Sequence, residues 1–292
     1  MLKKLYFFVT SILFLFFFQS CEQPSIDATT VEGSLSGLFS ISETEQIRFS
    51  QGNLQYQAST GTWRFAENQF DIIGDDNANI SPSYDGWIDL FAWATSGYEG
   101  LMPYQTSDNQ ADYDIIYTNI ASTNYDWGVF NKISNGGNES GIWQLLSPDE
   151  WGYILNFREN ASKLFGVGCV NNVNGLIILP DSCVIPDGIT FRAAVASDSG
   201  SDLYSIVNDF TLDEWRLLES VGAVFIPASG ARLGKRVMYV GIGGYYWTNT
   251  AFEYDTQNVY CMGFDSSRAV WEGLSNRTNG RSVRLVTKKI NL

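Results

Sequence analysis

The side chains that could carry out chemistry in this chain are 32 Asp and Glu residues and four cysteines, because the sequence contains no histidine. The lack of histidine excludes Ser-His-Asp and Cys-His nucleophilic sites, and it excludes His-ligated zinc and iron sites. No two cysteines stand at the spacing of a zinc finger. Paired carboxylates could hydrolyse glycosidic bonds, but any two of so many acids could meet in a cleft. The sequence therefore indicates no catalytic residue and no metal ligand, and we predict a non-catalytic protein.

Acidic and amide side chains crowd one loop at 71–79 (DIIGDDNAN). Oxygen ligands at short spacing suit calcium, but the glycine and glutamate of the EF-hand pattern are absent. A solvated acidic turn is the other interpretation, and the one that turn composition favours. Asp108, Asp112 and Asp114 form a second, weaker cluster with the same two interpretations. We therefore predict no cofactor and keep calcium as an open alternative.

Aromatic side chains stand among Asp and Asn between residues 80 and 130, in segments without a helical or strand period. Such combinations suit sugar rings, because the rings stack and the polar groups bind hydroxyls. We predict that Trp87 or Trp127 presents a ring face, with Asp89 or Asp126 beside it to accept sugar hydroxyls. The alternative is that these aromatics only pack under long loops.

The N-terminus has the composition of a secretory signal. Two lysines at positions 3 and 4 precede an apolar run over 5–18, and Ser20-Cys21 closes it. The run is too short for a spanning helix, which needs ~20 residues. The segment resembles a bacterial lipoprotein signal, in which the cysteine thiol takes a diacylglycerol and the new N-terminus is acylated. The resemblance implies a signal peptide over 1–20 and a lipid on Cys21.

The elements that would position these residues are short strands and two helices. Residues 21–36 are small and polar and predict a tether, and 37–288 shows no linker-like break, which predicts one domain. Ser147-Pro148-Asp-Glu150 and Thr211-x-Asp-Glu each predict a capped helix start. About ten strand-like runs, among them 47–49, 54–56, 63–65, 224–226, 245–247 and 259–264, surround the two helices. The predicted fold class is α+β.

Cysteine spacing leaves one bridge open. Cys169 and Cys183 flank a strand-like run and could form a disulfide in an oxidising compartment. The alternative is that they and Cys261 are small buried hydrophobic residues.

Three segments resemble a known family. Residues 143–151 (WQLLSPDEW) resemble the Trp-Arg-Leu-Pro-Thr-x-x-Glu-Trp motif of formylglycine-generating-enzyme-like and C-type-lectin-like domains. Residues 243–250 and 280–286 resemble segments of the Fibrobacter succinogenes major paralogous domain, found in lipoproteins of Bacteroidetes. The resemblance implies a C-type-lectin-like twisted antiparallel sheet with two helices, long ordered loops, and paired first and last strands. It transfers no site, because the copper-binding cysteine pair and the calcium loop triplets of these families are missing.

The tryptophans of these motifs look structural. Trp143, Trp151 and Trp247 adjoin helix and strand starts and are predicted to be core. Arg284 lies between apolar neighbours in the last strand, and we expect it to point outward or to pair with an acid. Should the 80–130 loops not bind ligand, the neighbourhood of Tyr245 and Trp271 is the alternative site.

The function that these observations favour is recognition. The chain has a net charge of −14, which argues against nucleic-acid binding. We predict a lipoprotein anchored to the outer membrane through its lipid, on the cell surface or the periplasmic face, that binds a glycan or a surface protein. A structural or assembly role, marked by an exposed apolar patch or an open strand edge, is the alternative. A carbohydrate-active enzyme, marked by two carboxylates in one pocket, is the third.

Overall fold

The computed structural model describes residues 30–105 and 116–288, and its fold is mixed α+β, built mostly of short sheets. The predicted fold class is therefore confirmed. The strands are β1 Phe39–Ser40, β2 Gln46–Phe49, β3 Leu54–Gln57, β4 Thr62–Phe65, β5 Trp87–Ile88, β6 Phe165–Val170, β7 Val173–Ile178, β8 Asp209–Phe210, β9 Val224–Pro227, β10 Ala231–Leu233, β11 Arg236–Met238, β12 Gly243–Ala251, β13 Asn258–Asp265, β14 Arg268–Asn276 and β15 Val286–Thr287.

Four α-helices lie in the described part of the chain: α1 Trp127–Phe130, α2 Pro148–Gly152, α3 Tyr204–Val207 and α4 Leu212–Ser220. The two predicted helices are α2 and α4. Each begins with a capping box, in which Ser147 or Thr211 accepts from the backbone N–H three residues on and Glu150 or Glu214 accepts from the cap residue's own N–H. A π-helical turn, Tyr153–Phe157, continues α2. No helix within 30–105 and 116–288 is long and apolar enough to span a membrane.

The strands form five small sheets, with the orders β1-β2-β15, β4-β3-β5, β8-β6-β7-β9, β10-β11 and β12-β13-β14. Only the pair of β6 and β8 is parallel among these ladders. Strand β15 pairs with β2 through Val286 and Phe49, which joins an early and a late segment of the chain. Packing of the chain begins before the predicted domain start at residue 37, because Leu35 donates to the Phe49 carbonyl and Gln51 donates to the Gly33 carbonyl.

The core contains the predicted tryptophans. Trp143, Trp151 and Trp247 are each 1% exposed, which confirms their assignment as core residues. Trp151 packs on Phe49 with ring centroids 5.6 Å apart. Trp143 packs edge-on against Phe65 at 4.7 Å. Motif tryptophans thus hold α2 and the adjacent strands together, and burial of rings this large supplies much of the apolar contact.

Arg284 does not point outward, and that prediction was wrong. The side chain is 1% exposed, and its Nη2 donates to Oε1 of Gln69 at 3.0 Å. Its Nε and Nη1 have no hydrogen-bond partner in the described part of the chain, and it forms no ion pair there. Burial lowers its pKa to about 10, although Tyr246 and Glu219 oppose the shift.

Cys169, Cys183 and Cys261 are all free thiols. The possible bridge between Cys169 and Cys183 is therefore not formed. Cys169 and Cys261 are buried and Cys183 is half-buried, so the alternative interpretation, that of small buried hydrophobic residues, fits the first two. Cys21 lies outside the described residues, and so do Asp108, Asp112 and Asp114.

Candidate functional site

Asp126 and Trp127 are buried rather than displayed. Both are 0% exposed, so Trp127 offers no ring face to a sugar. Its Nε1 donates to the Thr95 carbonyl at 3.0 Å. Asp126 caps α1, since its Oδ1 accepts from the Gly128 N–H at 3.0 Å and its Oδ2 accepts from the Leu145 N–H at 2.9 Å. Burial raises the pKa of Asp126 to about 7, although the backbone hydrogen bonds oppose the rise.

Asp89 is also fully buried. It accepts from Nδ2 of Asn77 at 2.7 Å, and burial raises its pKa to about 6, against the effect of that hydrogen bond. Trp87 is half-buried, and the guanidinium of Arg64 lies 3.9 Å from its ring centroid. The predicted arrangement of a free ring beside an accessible carboxylate is therefore not present at either pair. Packing under loops, the alternative interpretation for the aromatic side chains, describes Trp127.

The acidic loop at 71–79 does not gather its carboxylates around one point. Asp71 accepts from the Asn68 N–H, and Asn77 turns inward to Asp89. No group of three or more acidic or cysteine side chains able to hold a metal ion occurs within 30–105 and 116–288.

A polar cleft of about 380 Å³ lies where the predicted motifs meet. We call it the polar cleft, and its lining residues come from four segments: Asn119, Ala121, Ser122 and Asp126; Gln144, Leu145, Ser147 and Glu150; Asn249 and Thr250; and Lys288. Backbone bonds fix these segments to one another. Gln144 pairs with Val286, Ile120 donates to the Asn249 carbonyl and Asn249 donates to the Leu146 carbonyl. One wall of the cleft is thus formed by the start of α2, the end of β12 and the residue after β15.

Both carboxylates of the cleft are already engaged. Glu150 accepts from the Ser147 N–H through Oε2 at 2.7 Å, and its Oε1 lies 3.2 Å from Nζ of Lys288. Partial burial alone would lower the pKa of Lys288, but Glu150 and Glu45 raise it overall. Both carboxylate oxygens of Asp126 accept hydrogen bonds from backbone N–H groups. Three of the four carboxylate oxygens thus accept backbone hydrogen bonds, and the fourth, Oε1 of Glu150, faces Lys288.

Other polar groups of the cleft are free. The side-chain amide of Gln144, the hydroxyl of Ser122 and Nδ2 of Asn119 make no hydrogen bond with any described residue. Oδ1 of Asn119 accepts from the Ala251 N–H at 2.9 Å, which fixes the direction of its Nδ2. Asn249 is held by the Leu145 carbonyl at 3.1 Å. The cleft therefore presents neutral donors and acceptors, of which the amides of Asn119 and Asn249 are held by hydrogen bonds.

Two smaller cavities lie at the alternative location. One of about 230 Å³ is lined by Tyr245, Gly263, Val270 and other residues of β12 to β14. Another, of about 290 Å³, is lined by Trp271, Phe165 and neighbouring small residues. Both are mainly apolar in lining, although Asn156 adds one amide to the second.

Sequence reasoning did not find the polar cleft, although its parts were in view. Ser147 and Glu150 were correctly assigned to a helix cap, and Gln144, Asn249 and Thr250 lie inside the segments that resemble a known family. The available signal was that both segments carry polar residues next to buried tryptophans. Comparison of the chain with protein-family models, with curated proteins and with solved structures found no match.

Proposed function

We propose that this chain is a lipid-anchored protein of the cell envelope whose domain binds a glycan, without catalysis, in the polar cleft. The observation that carries the proposal is the combination found there. The Gln144 amide and the Ser122 hydroxyl are free. The amides of Asn119 and Asn249 are held by hydrogen bonds, and the neighbouring carboxylate oxygens already have partners. Sugar hydroxyls both donate and accept, so they are recognised by such neutral groups. Lys288 and Glu150 add one charged pair that a hydroxyl could bridge.

The proposed fold is C-type-lectin-like. It is supported by the pairing of β2 with β15, by two capped helices and by long ordered stretches within 66–105 and 116–143. The fit is in architecture only, and no calcium or copper site is proposed with it.

The proposed location is the outer membrane, on the cell surface or the periplasmic face, through a lipid on Cys21. The basic start, the short apolar run and the Ser20-Cys21 junction support this. A net charge of −14 makes nucleic acid and anionic lipid poor partners, so acyl chains rather than charge would hold the protein at the membrane.

The test is a glycan array probed with the purified protein and with Gln144→Ala. We expect the wild type to retain at least one glycan and Gln144→Ala to weaken its binding about tenfold, since one or two hydrogen bonds are lost. Gln257→Ala, which removes an exposed amide outside the cleft, is the matched control. Binding that survives in Gln144→Ala would contradict the proposal. Release of cleaved sugar that stops in Glu150→Gln would instead identify a hydrolase.

One observation favours the second candidate, a structural or assembly role. Strand β14 is an edge strand of its sheet, and it exposes Val270 and Leu274 at 38% and 47%. Open edges with apolar side chains promote pairing with another chain. Concentration-dependent association in analytical ultracentrifugation, lost in Leu274→Lys, would support this role over recognition.

A further inference from the structure

Three aromatic rings form a contiguous surface cluster after the end of β12. The ring centroids of Phe252 and Tyr254 are 5.5 Å apart, and those of Phe252 and Tyr260 are 5.4 Å apart. Tyr254 is 81% exposed, more than the other exposed large hydrophobic side chains of the described residues. We call these three residues the aromatic patch. Exposed clusters of this kind mark interaction surfaces more often than isolated exposed rings do.

Three carboxylates lie close enough to Tyr260 to act on its hydroxyl. Glu253 follows Phe252 directly, Glu272 lies on β14, and Asp149 lies on α2, and all three are exposed. Their charges reach the hydroxyl of Tyr260, whose pKa is raised by partial burial and then by Glu253, Glu272 and Asp149 among others. None of the three forms an ion pair with a residue in the described ranges. The patch is therefore both aromatic and negatively charged without compensation.

Elsewhere in this fold, arginines of the chain itself cover aromatic rings. Arg64 lies over Trp87 at 3.9 Å, and Arg281 lies over Tyr245 at 4.7 Å. No cationic side chain within 30–105 and 116–288 lies over Phe252, Tyr254 or Tyr260. A ring face next to carboxylates attracts a guanidinium or ammonium group through its quadrupole and through the neighbouring charge.

We propose that the aromatic patch is the docking surface for an arginine- or lysine-bearing segment of a partner protein. A guanidinium would stack on Tyr254, and Glu253 and Glu272 would accept its N–H groups. This surface is distinct from the polar cleft, and it differs in chemistry. It offers uncompensated acids and ring faces rather than neutral amides, and that balance favours a cation over a sugar.

The test uses the purified full chain and a fluorescently labelled peptide of alternating glycine and arginine, with fluorescence anisotropy as the readout. A glycine–serine peptide of the same length controls for nonspecific contact. We expect the arginine peptide to bind, and to bind more weakly as salt is raised. Tyr254→Ala and the double variant Glu253→Gln/Glu272→Gln should each weaken binding about tenfold.

Two controls separate the patch from the general acidity of the chain. Asp187→Asn/Asp202→Asn removes the same charge at exposed positions elsewhere, and Phe157→Ala removes an exposed ring (63%) outside the patch. Both should bind like the wild type. Equal weakening by the two double variants, or no binding of the arginine peptide by the wild type, would overturn the proposal. Loss of glycan binding in Tyr254→Ala with peptide binding intact would also overturn it and assign the patch to sugar instead.

Discussion

The carboxylate of Asp126 accepts a hydrogen bond from the backbone N–H of Leu145 at 2.9 Å, across 19 positions of sequence. Through its other oxygen the same carboxylate caps α1 at Gly128. One buried acid thus fastens the irregular loop before α1 to the segment that leads into α2. The wall of the polar cleft depends on this connection, because Asp126 and Leu145 both line it.

The first prediction concerns the pH dependence of stability. Asp126 has a folded-state pKa of about 7 and Asp89 one of about 6, both raised above 3.8 by burial. The folded protein therefore binds more protons than the unfolded chain between about pH 4 and pH 7, and the free energy of unfolding falls as pH rises through that range. Urea unfolding should show a lower midpoint at pH 8 than at pH 5.

The matched variant is Asp126→Asn, which removes the titrating group and keeps one acceptor. Its midpoint should change less between pH 5 and pH 8 than that of the wild type. The pKa values of Asp181, Asp265 and Glu214 are lowered in the folded protein. Their contributions to stability are therefore lost only at more acidic pH, outside the range from pH 5 to pH 8 that this comparison uses. The raised pKa of Asp126 would be contradicted if the wild-type urea midpoint rose from pH 5 to pH 8. It would also be contradicted if the midpoint of the variant changed with pH as much as that of the wild type.

The second prediction is that Trp151→Ala destabilises the domain by about 3–5 kcal/mol, because it removes a fully buried ring and leaves a cavity. Trp151 is 1% exposed and contacts Phe49. Phe157→Ala is the control, since that ring is 63% exposed and its loss should cost much less. Urea unfolding measures both. Similar costs for the two variants would show that Trp151 does not anchor α2.

The third prediction concerns the thiols. Burial raises the pKa of Cys261 to about 11, and it also raises the pKa values of Cys169 and Cys183. Because only Cys183 is half-buried, we expect iodoacetamide to alkylate it first in the folded protein, with Cys169 and Cys261 reacting only after denaturation. Mass mapping without reductant should find no peptide that links Cys169 to Cys183. Detection of a linked peptide would contradict the prediction that Cys169 and Cys183 are free thiols.

The fourth prediction is acylation of Cys21, which lies outside the described residues. In cells grown with labelled palmitate, the wild-type protein should carry the label and Cys21→Ser should not. Protease treatment of intact cells would then separate the cell surface from the periplasmic face. An unlabelled wild-type protein would end the lipoprotein hypothesis.

The helices and core tryptophans could be predicted because their signals are local. A capping box uses residues three apart, so Ser147 with Glu150 and Thr211 with Glu214 are readable in the sequence. The buried stripe of α4, Trp215 and Leu218, follows from the helical period in the same way.

The candidate site could not be predicted because its determinants are not local. Asp126 and Trp127 stand in a stretch without regular period, so alternation gave no guide to which ring points inward. A local sign did exist, since Asp126 precedes a four-residue helix in the position of a cap, but the bond to Leu145 depends on the tertiary fold. Arg284 shows the same limit. Strand alternation indicated an exposed side chain, but in the structure the Arg284 side chain is buried and donates to Gln69, which belongs to a distant loop.

The ladder between β2 and β15 has a consequence for the order of events in folding. Phe49 finds its partner only when Val286 is present, so a chain synthesised from its N-terminus cannot close this sheet until the segment around Val286 has been made. Loop-closure entropy makes such long-range pairing slow. We expect β2 to remain without its β15 partner, and exposed on that edge, until then.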